Sequence, residues 1–295
     1  MQTLAEIRGL LESHGLSPRH RLGQCFLIDR NLVAKLVDSA GVGPGEVVLE
    51  VGPGTGTLTD TLLERGARVV ACELDAGLCG LLRDRLGGEE RFTLVEGDCL
   101  ARKSAVNPEI LEAIARAQGL ESGRAPGPFK LVANLPYGAA TPLMIALLVE
   151  HPACVGQWVT IQREVGERLM AGPGMPGFDA KAYGPISVLA WAAAECRVIA
   201  TPGPECFWPR PEVDSVMLQI RRKDHPACAD LAGLARFCQR LFATRRKQLG
   251  GVLGRGLVES AGIDPTARVE AVEPARLVEL FERARDAEPA PPPPR

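Results

Sequence analysis

Aromatic residues make up only 4% of this 295-residue chain, so an aromatic outside a core position is a candidate for a specific task. The nine cysteines, scattered from Cys25 to Cys238, include no C-x-x-C pair. That spacing fits neither a zinc site nor a disulfide framework, so no metal is expected, and reduced thiols in a cytoplasmic protein are the natural reading. No apolar run follows a basic start, and none is long enough to cross a bilayer, which excludes a membrane span. Excess positive charge is also missing: 34 Lys and Arg face 36 Asp and Glu, for a formal net charge of −2. A surface coated with positive charge is therefore ruled out. No internal repeat is visible.

The average charge hides a local asymmetry. Residues 221–255 hold nine Lys and Arg against two acids, Asp224 and Asp230. A second basic knot is Arg19-His20-Arg21. Patches of this kind can grip phosphates while the whole molecule stays slightly acidic, and they can equally be solvated helix faces.

Apolar periodicity gives helices over 3–13 and over 31–40, the latter after Asp29 as a cap. Short β runs then alternate with helices: strands at 46–51, 67–73, near 95, 129–133 and 157–161, and helices at 57–64, up to about 86, and 141–149. This rhythm implies a parallel sheet with helices on both faces. Residues 100–128, with one helix at about 108–118, read as an insertion, and 170–183, rich in Gly and Pro, reads as a mobile loop. After a helix at 185–194, strands at 197–200 and 213–221 would add an antiparallel edge to the sheet. The pattern is helical from 224. The expected domains are 1–223 (catalytic), 224–287 (small and all-helical) and a Pro-rich tail, 288–295.

Glu50-Val51-Gly52-Pro53-Gly54-Thr55-Gly56 lies between a strand and a helix, where bare backbone N–H groups can approach a ligand. Glu73, at the next strand end, can accept from both hydroxyls of a ribose. Asp98, at the end of the third strand, can accept from the amino group of an adenine, or act as a helix cap. The loop lacks a clean G-x-G-x-x-G, so a nucleoside without a pyrophosphate, S-adenosylmethionine, suits the three strand ends better than a dinucleotide.

Downstream, Asn134-Leu135-Pro136-Tyr137 closes an apolar run. The exocyclic amine of adenine is a poor nucleophile because its lone pair is delocalised into the ring. The Asn134 side-chain oxygen and the Leu135 carbonyl can both accept its N–H bonds, Pro136 holds the backbone extended, and Tyr137 offers a face for an extruded base. The simpler reading is a strand ending in an Asn/Pro turn. Phe207, between proline-rich turns, is expected to be exposed and to form the opposite face of the base slot.

These blocks, in order, resemble the ribosomal RNA adenine-N6 dimethyltransferases of the small-subunit type. The resemblance runs from about residue 18 to 254. It rests on Leu22-Gly23-Gln24-Cys25-Phe26-Leu27, Glu50 to Gly56, Glu73-Leu74-Asp75, Asp98, Asn134 to Tyr137, and Phe207-Trp208-Pro209-Arg210-Pro211-Glu212-Val213-Asp214-Ser215. Phe242-Ala243-Thr244-Arg245-Arg246-Lys247-Gln248-Leu249 resembles the start of the family's C-terminal RNA-binding domain. The resemblance implies a Rossmann-like class I methyltransferase fold, mostly parallel and seven-stranded with an antiparallel edge, plus a small helical domain. It implies dimethylation of two adjacent adenosines in a hairpin near the 3′ end of 16S rRNA, with an assembling 30S subunit as partner and a monomeric enzyme. The methyl donor would lie against Gln24, Cys25, Leu27, Gly52, Gly54, Glu73, Asp98 and Asn134, and the target adenine between Tyr137 and Phe207. RNA would be held by Arg19, Arg21, Arg245, Arg246 and Lys247. The family usually has Asn where this chain has Cys25. Three other readings stay open: a large-subunit rRNA dimethyltransferase of the resistance type, an assembly factor with decayed catalysis, and an NAD-dependent oxidoreductase.

Overall fold

The computed structural model describes residues 1–19, 23–102, 105–175 and 178–287. Arg21 and the 288–295 tail, both named above, lie outside the described residues. Contacts within the chain divide it into two compact units, Met1–Gly166 with Arg197–Arg221, and Glu167–Cys196 with the remainder from Arg222.

The first unit begins with α1 (Leu4–Ser13), capped by the Thr3/Glu6 pair, then β1 (Phe26–Leu27) and α2 (Arg30–Ala40). Asp29 caps α2, accepting from the Asn31 and Leu32 amides at 2.9 and 3.0 Å. There follow β2 (Val47–Val51), α3 (Thr57–Glu64), β3 (Arg68–Glu73), α4 (Ala76–Leu86) and β4 (Phe92–Glu96). A short hairpin, β5 (Leu100–Arg102) and β6 (Ala105–Val106), leads to α5 (Pro108–Ala117). The chain returns through β7 (Phe129–Asn134), α6 (Tyr137–Glu150), β8 (Cys154–Gln162) and α7 (Arg163–Met170). After α8 (Pro185–Ala193) come β9 (Ala194–Ala200), β10 (Phe207–Trp208) and β11 (Ser215–Arg222).

Seven of these strands form one sheet, in the order β4-β3-β2-β7-β8-β11-β9. β4, β3, β2, β7 and β8 run parallel, and β11 returns antiparallel to β8, pairing Ser215 with Gln162 through Arg221 with Gly156. Chain order reverses between β2 and β7, so the loops leaving their C-terminal ends diverge and open a crevice. Val48, Val69, Val132, Trp158 and Met217 pack with Val33, Leu36 and Val37 of α2 and Leu58 and Leu62 of α3. The alternate strand residues Leu49, Val70, Leu131 and Val159 are equally buried, so both faces are covered, as a parallel sheet requires.

Residues 100–128 are not an insertion. Ile110, Ala113, Ile114 and Ala115 of α5 are buried, and the helix packs on β2, β3 and β4; it is the crossover between β4 and β7. Helix α7 escapes a sequence reading because Val165 and Leu169 are its only buried apolar side chains in an otherwise polar segment. α6 begins four residues earlier than expected and contains Pro142.

The second unit groups α8 with α9 (Leu231–Ala243), α10 (Leu249–Leu253), α11 (Arg255–Ser260) and α12 (Pro274–Ala287). α8 is apolar on nearly every side, and α9 and α12 pack against it. That burial draws Glu167–Cys196 into the unit that holds residues 224–287. Tyr183, at the end of the segment read as a mobile loop, is held in this unit. It is fully buried, its hydroxyl donates to the Val272 carbonyl at 2.9 Å, and its ring meets Phe242 edge-on at 5.2 Å.

Candidate active site

Four strand ends, those of β2, β3, β4 and β7, converge on one cavity of about 560 Å³ in the first unit, within the range of small-molecule sites. The loop after β2 is shaped by Gly52, Gly54 and Gly56, at φ 72°, 61° and 89°, a region that side chains avoid. A Cβ at Gly54 would lie 2.8 Å from Phe26, and one at Gly52 3.1 Å from the Pro136 ring. The loop is thus pressed between β1 and the Asn134–Tyr137 segment with no room for a side chain.

Acids line the cavity. Glu73 is buried; its carboxylate accepts the Gly54 amide at 3.3 Å and the Asp75 amide at 2.9 Å. Burial pushes its pKa up, and these backbone bonds pull against that shift. Asp98 is exposed, its side chain accepting the Leu100 amide at 2.9 Å. Glu50, wholly buried under the loop and held by the Thr59 hydroxyl at 2.7 Å, is pushed by burial to about 8. Sequence reasoning missed Leu74, a cavity residue 56% exposed. An apolar residue set between two acids, Glu73 and Asp75, was the available signal. A recess with carboxylates, exposed apolar surface and close-packed glycines fits a nucleoside bearing an amino-acid tail.

Asn134 lies at the end of β7 and lines the same cavity. Its Nδ2 donates to the Cys25 carbonyl at 2.9 Å. A carbonyl can only accept, so this bond fixes the amide orientation and leaves Oδ1 as the edge available to the cavity. Cys25 makes the contact through its backbone, so the side-chain change at that position leaves it intact. The Leu135 amide donates to the Thr160 carbonyl at 3.1 Å, and the Pro136 carbonyl accepts the Ala139 and Ala140 amides at 3.1 Å as α6 starts. Tyr137 is half-buried on the cavity wall, its hydroxyl 3.4 Å from that of Ser215.

Gln24, Cys25, Leu27, Gly52, Gly54, Glu73, Asp98, Asn134, Leu135, Pro136 and Tyr137 are therefore brought to one cavity. Phe207 is not. It is 4% exposed, pairs with Leu27 between β10 and β1, and packs in the core beside Val33 and Trp158. Its flanking prolines imply an exposed turn, but the β1 pairing turns the ring inward. Gln24 is held on both sides of its amide: Oε1 accepts the Arg19 amide at 2.8 Å, and Nε2 donates to Asp75 at 3.1 Å. The Arg19 guanidinium is itself paired with the buried Asp75 carboxylate at 3.0 Å. In the second unit, Arg245 pairs with Glu270 at 2.9 Å and donates to the Ala180 carbonyl at 2.7 Å, whereas Arg246 and Lys247 are exposed. Among the described residues, no group of three or more His, Cys, Asp or Glu is arranged to hold a metal ion, and no helix is long and apolar enough to cross a membrane.

Sheet order, glycine loop and acidic strand ends together define a Rossmann-like class I methyltransferase that uses S-adenosylmethionine. The chain matches the ribosomal RNA adenine dimethylase family over residues 15–286. It is similar to the ribosomal RNA small subunit methyltransferase A of Phenylobacterium zucineum (37% identical, covering 95% of this chain and 93% of the relative). It is also similar to that of Magnetococcus marinus (38% identical, covering 95% and 96%). Among solved structures it resembles the 23S rRNA methyltransferase ErmE, with TM-score 0.59 and 26% identity over 88% of this chain and 99% of that one. A dimethyladenosine transferase from Plasmodium falciparum shares the fold, with TM-score 0.69 and 18% identity over 88% and 98%. The chain belongs to the ribosomal RNA adenine dimethylase family.

Proposed function

We propose that this enzyme dimethylates the N6 amino groups of two adjacent adenosines in a hairpin near the 3′ end of small-subunit rRNA, acting in the cytoplasm as a monomer on an assembling subunit. The small-subunit enzymes that align over nearly the whole chain support this choice over the large-subunit type. The observation that carries the chemistry is the Asn134 amide, locked by the Cys25 carbonyl with its oxygen left for the cavity.

S-adenosylmethionine supplies an electrophilic methyl group. Glu73 would hold the donor's ribose hydroxyls and Asp98 its adenine amino group, and Leu74 would cover the adenine ring. Asn134 Oδ1 and the Leu135 carbonyl accept the two N–H bonds of the target amine and draw its lone pair out of the ring. The Pro136 carbonyl is already engaged by α6. Tyr137 stacks on the extruded base; Phe207 supports the wall through Leu27 instead of stacking. Positioning lowers the barrier, and the same oxygens stabilise the charge that develops on nitrogen until water takes the proton. Arg246 and Lys247 hold phosphates in the second unit.

Asn134→Ala should lower methyl incorporation into small-subunit rRNA by roughly 100-fold or more, while calorimetry finds donor affinity little changed. Turnover near that of the parent enzyme would refute the mechanism. Mapping of the methylated nucleotides separates the small-subunit reading from the large-subunit one.

A further inference from the structure

The donor loop is also held by a residue 53 positions before Thr55 in the chain. The side chain of Gln2 is buried, 6% exposed. Its Oε1 accepts from the Thr55 hydroxyl at 2.7 Å and the Thr57 hydroxyl at 3.1 Å. Its Nε2 donates to the Thr55 carbonyl at 2.9 Å and to Asp60 Oδ2 at 3.2 Å. A primary amide offers two N–H donors and two acceptor lone pairs, so every one is matched, and all the partners lie within Thr55 to Asp60. Thr55 and Thr57 line the cavity. Helix α3 is preceded at its N-cap by Gly56, which has no side chain with which to cap it; the Gln2 amide orders that first turn from a distance. Arg85 meets the same Thr55 carbonyl at 2.5 Å and grips Asp60 at 3.1 Å, so Gln2 closes a ring of polar contacts.

We infer that Gln2 is a positioning residue for the methyl donor, fixing the backbone of the Gly54–Thr57 turn in the conformation that receives it. The inference rests on the reading that this loop holds S-adenosylmethionine. Gln2 acts on donor affinity and not on transfer, because it touches the loop from outside the cavity and has no contact with Asn134 or Tyr137. Glu at this position would set a carboxylate against Asp60 and the Thr55 carbonyl, while Met would keep the volume and lose the four bonds.

Calorimetric titration of the full chain with S-adenosylmethionine, for the parent, Gln2→Met and Gln2→Glu, tests this. Gln2→Met should weaken donor binding roughly five- to tenfold, and Gln2→Glu more. Turnover at saturating donor should stay within about twofold of the parent, with affinity for a small-subunit rRNA hairpin unchanged. Unaltered donor affinity in Gln2→Met, or a parallel loss of donor and RNA affinity in both variants, would overturn the inference. A parent chain that takes up no donor would instead remove the donor-loop reading itself.

Discussion

Glu50 is a buried carboxyl whose protonation couples folding stability to pH. Its ordinary value of 4.5 rises to about 8 because burial disfavours the charged form, while the Thr59 hydroxyl offsets only part of that. Between those two values the folded chain retains a proton that the unfolded chain releases. The stability that Glu50 contributes is therefore fully present below about pH 4.5 and is lost as the pH rises toward about 8. Glu50→Gln removes the titration and keeps a polar group for Thr59. Melting curves across that window should fall with pH in the parent and be distinctly flatter in the variant, and parallel curves would exclude Glu50 as the source. The residue scale also explains Cys25. Its carbonyl orients Asn134, so its thiol can differ from the family's usual amide without disturbing that bond.

At the scale of elements, the glycine loop, the two-residue β1 and the start of α6 form one packed assembly. Phe26 of β1 rests against Gly54, and Pro136 rests against Gly52. Gly54→Ala would add a Cβ 2.8 Å from the Phe26 ring at φ 61°. Donor affinity, read by calorimetry, should then fall by about tenfold or more, since the positive φ alone costs a side chain roughly 1–2 kcal/mol. An alanine variant with parental affinity would mean that the loop has slack the packing does not show. The same scale exposes two limits of periodicity. The β1–β10 ribbon has only two residues per strand, too few for alternation to register. The α5 crossover follows a short hairpin that breaks the strand–helix rhythm, so a structural helix reads as an insertion.

For the whole molecule, a net charge of −2 coexists with a basic stretch at 221–255, and the fold decides which of those charges face solvent. Lys223 lies over Trp191 and Arg245 is paired with Glu270, whereas Arg236, Arg240, Arg246, Lys247 and Arg255 are exposed. Replacing Arg246 and Lys247 with Ala should weaken RNA binding and reduce the slope of log affinity against log salt by about one per lost phosphate contact. Filter binding across a salt series reads this directly. An unchanged slope would move the phosphate contacts elsewhere.

The sequence alone determined the alternation of strands and helices, the glycine loop, the acids at successive strand ends and the Asn134–Tyr137 segment. Each is written in local spacing, and local spacing is what backbone preference and periodicity act on. Tertiary structure decided what depends on partners distant in the chain: that Phe207 faces the core because β1 pairs with β10, that Arg19 and Gln24 converge on Asp75, and that Gln2 meets the donor loop. Those outcomes depend on hydrogen-bond matching and burial between segments tens of residues apart, and no local pattern encodes which of two exposed-looking side chains will find a partner.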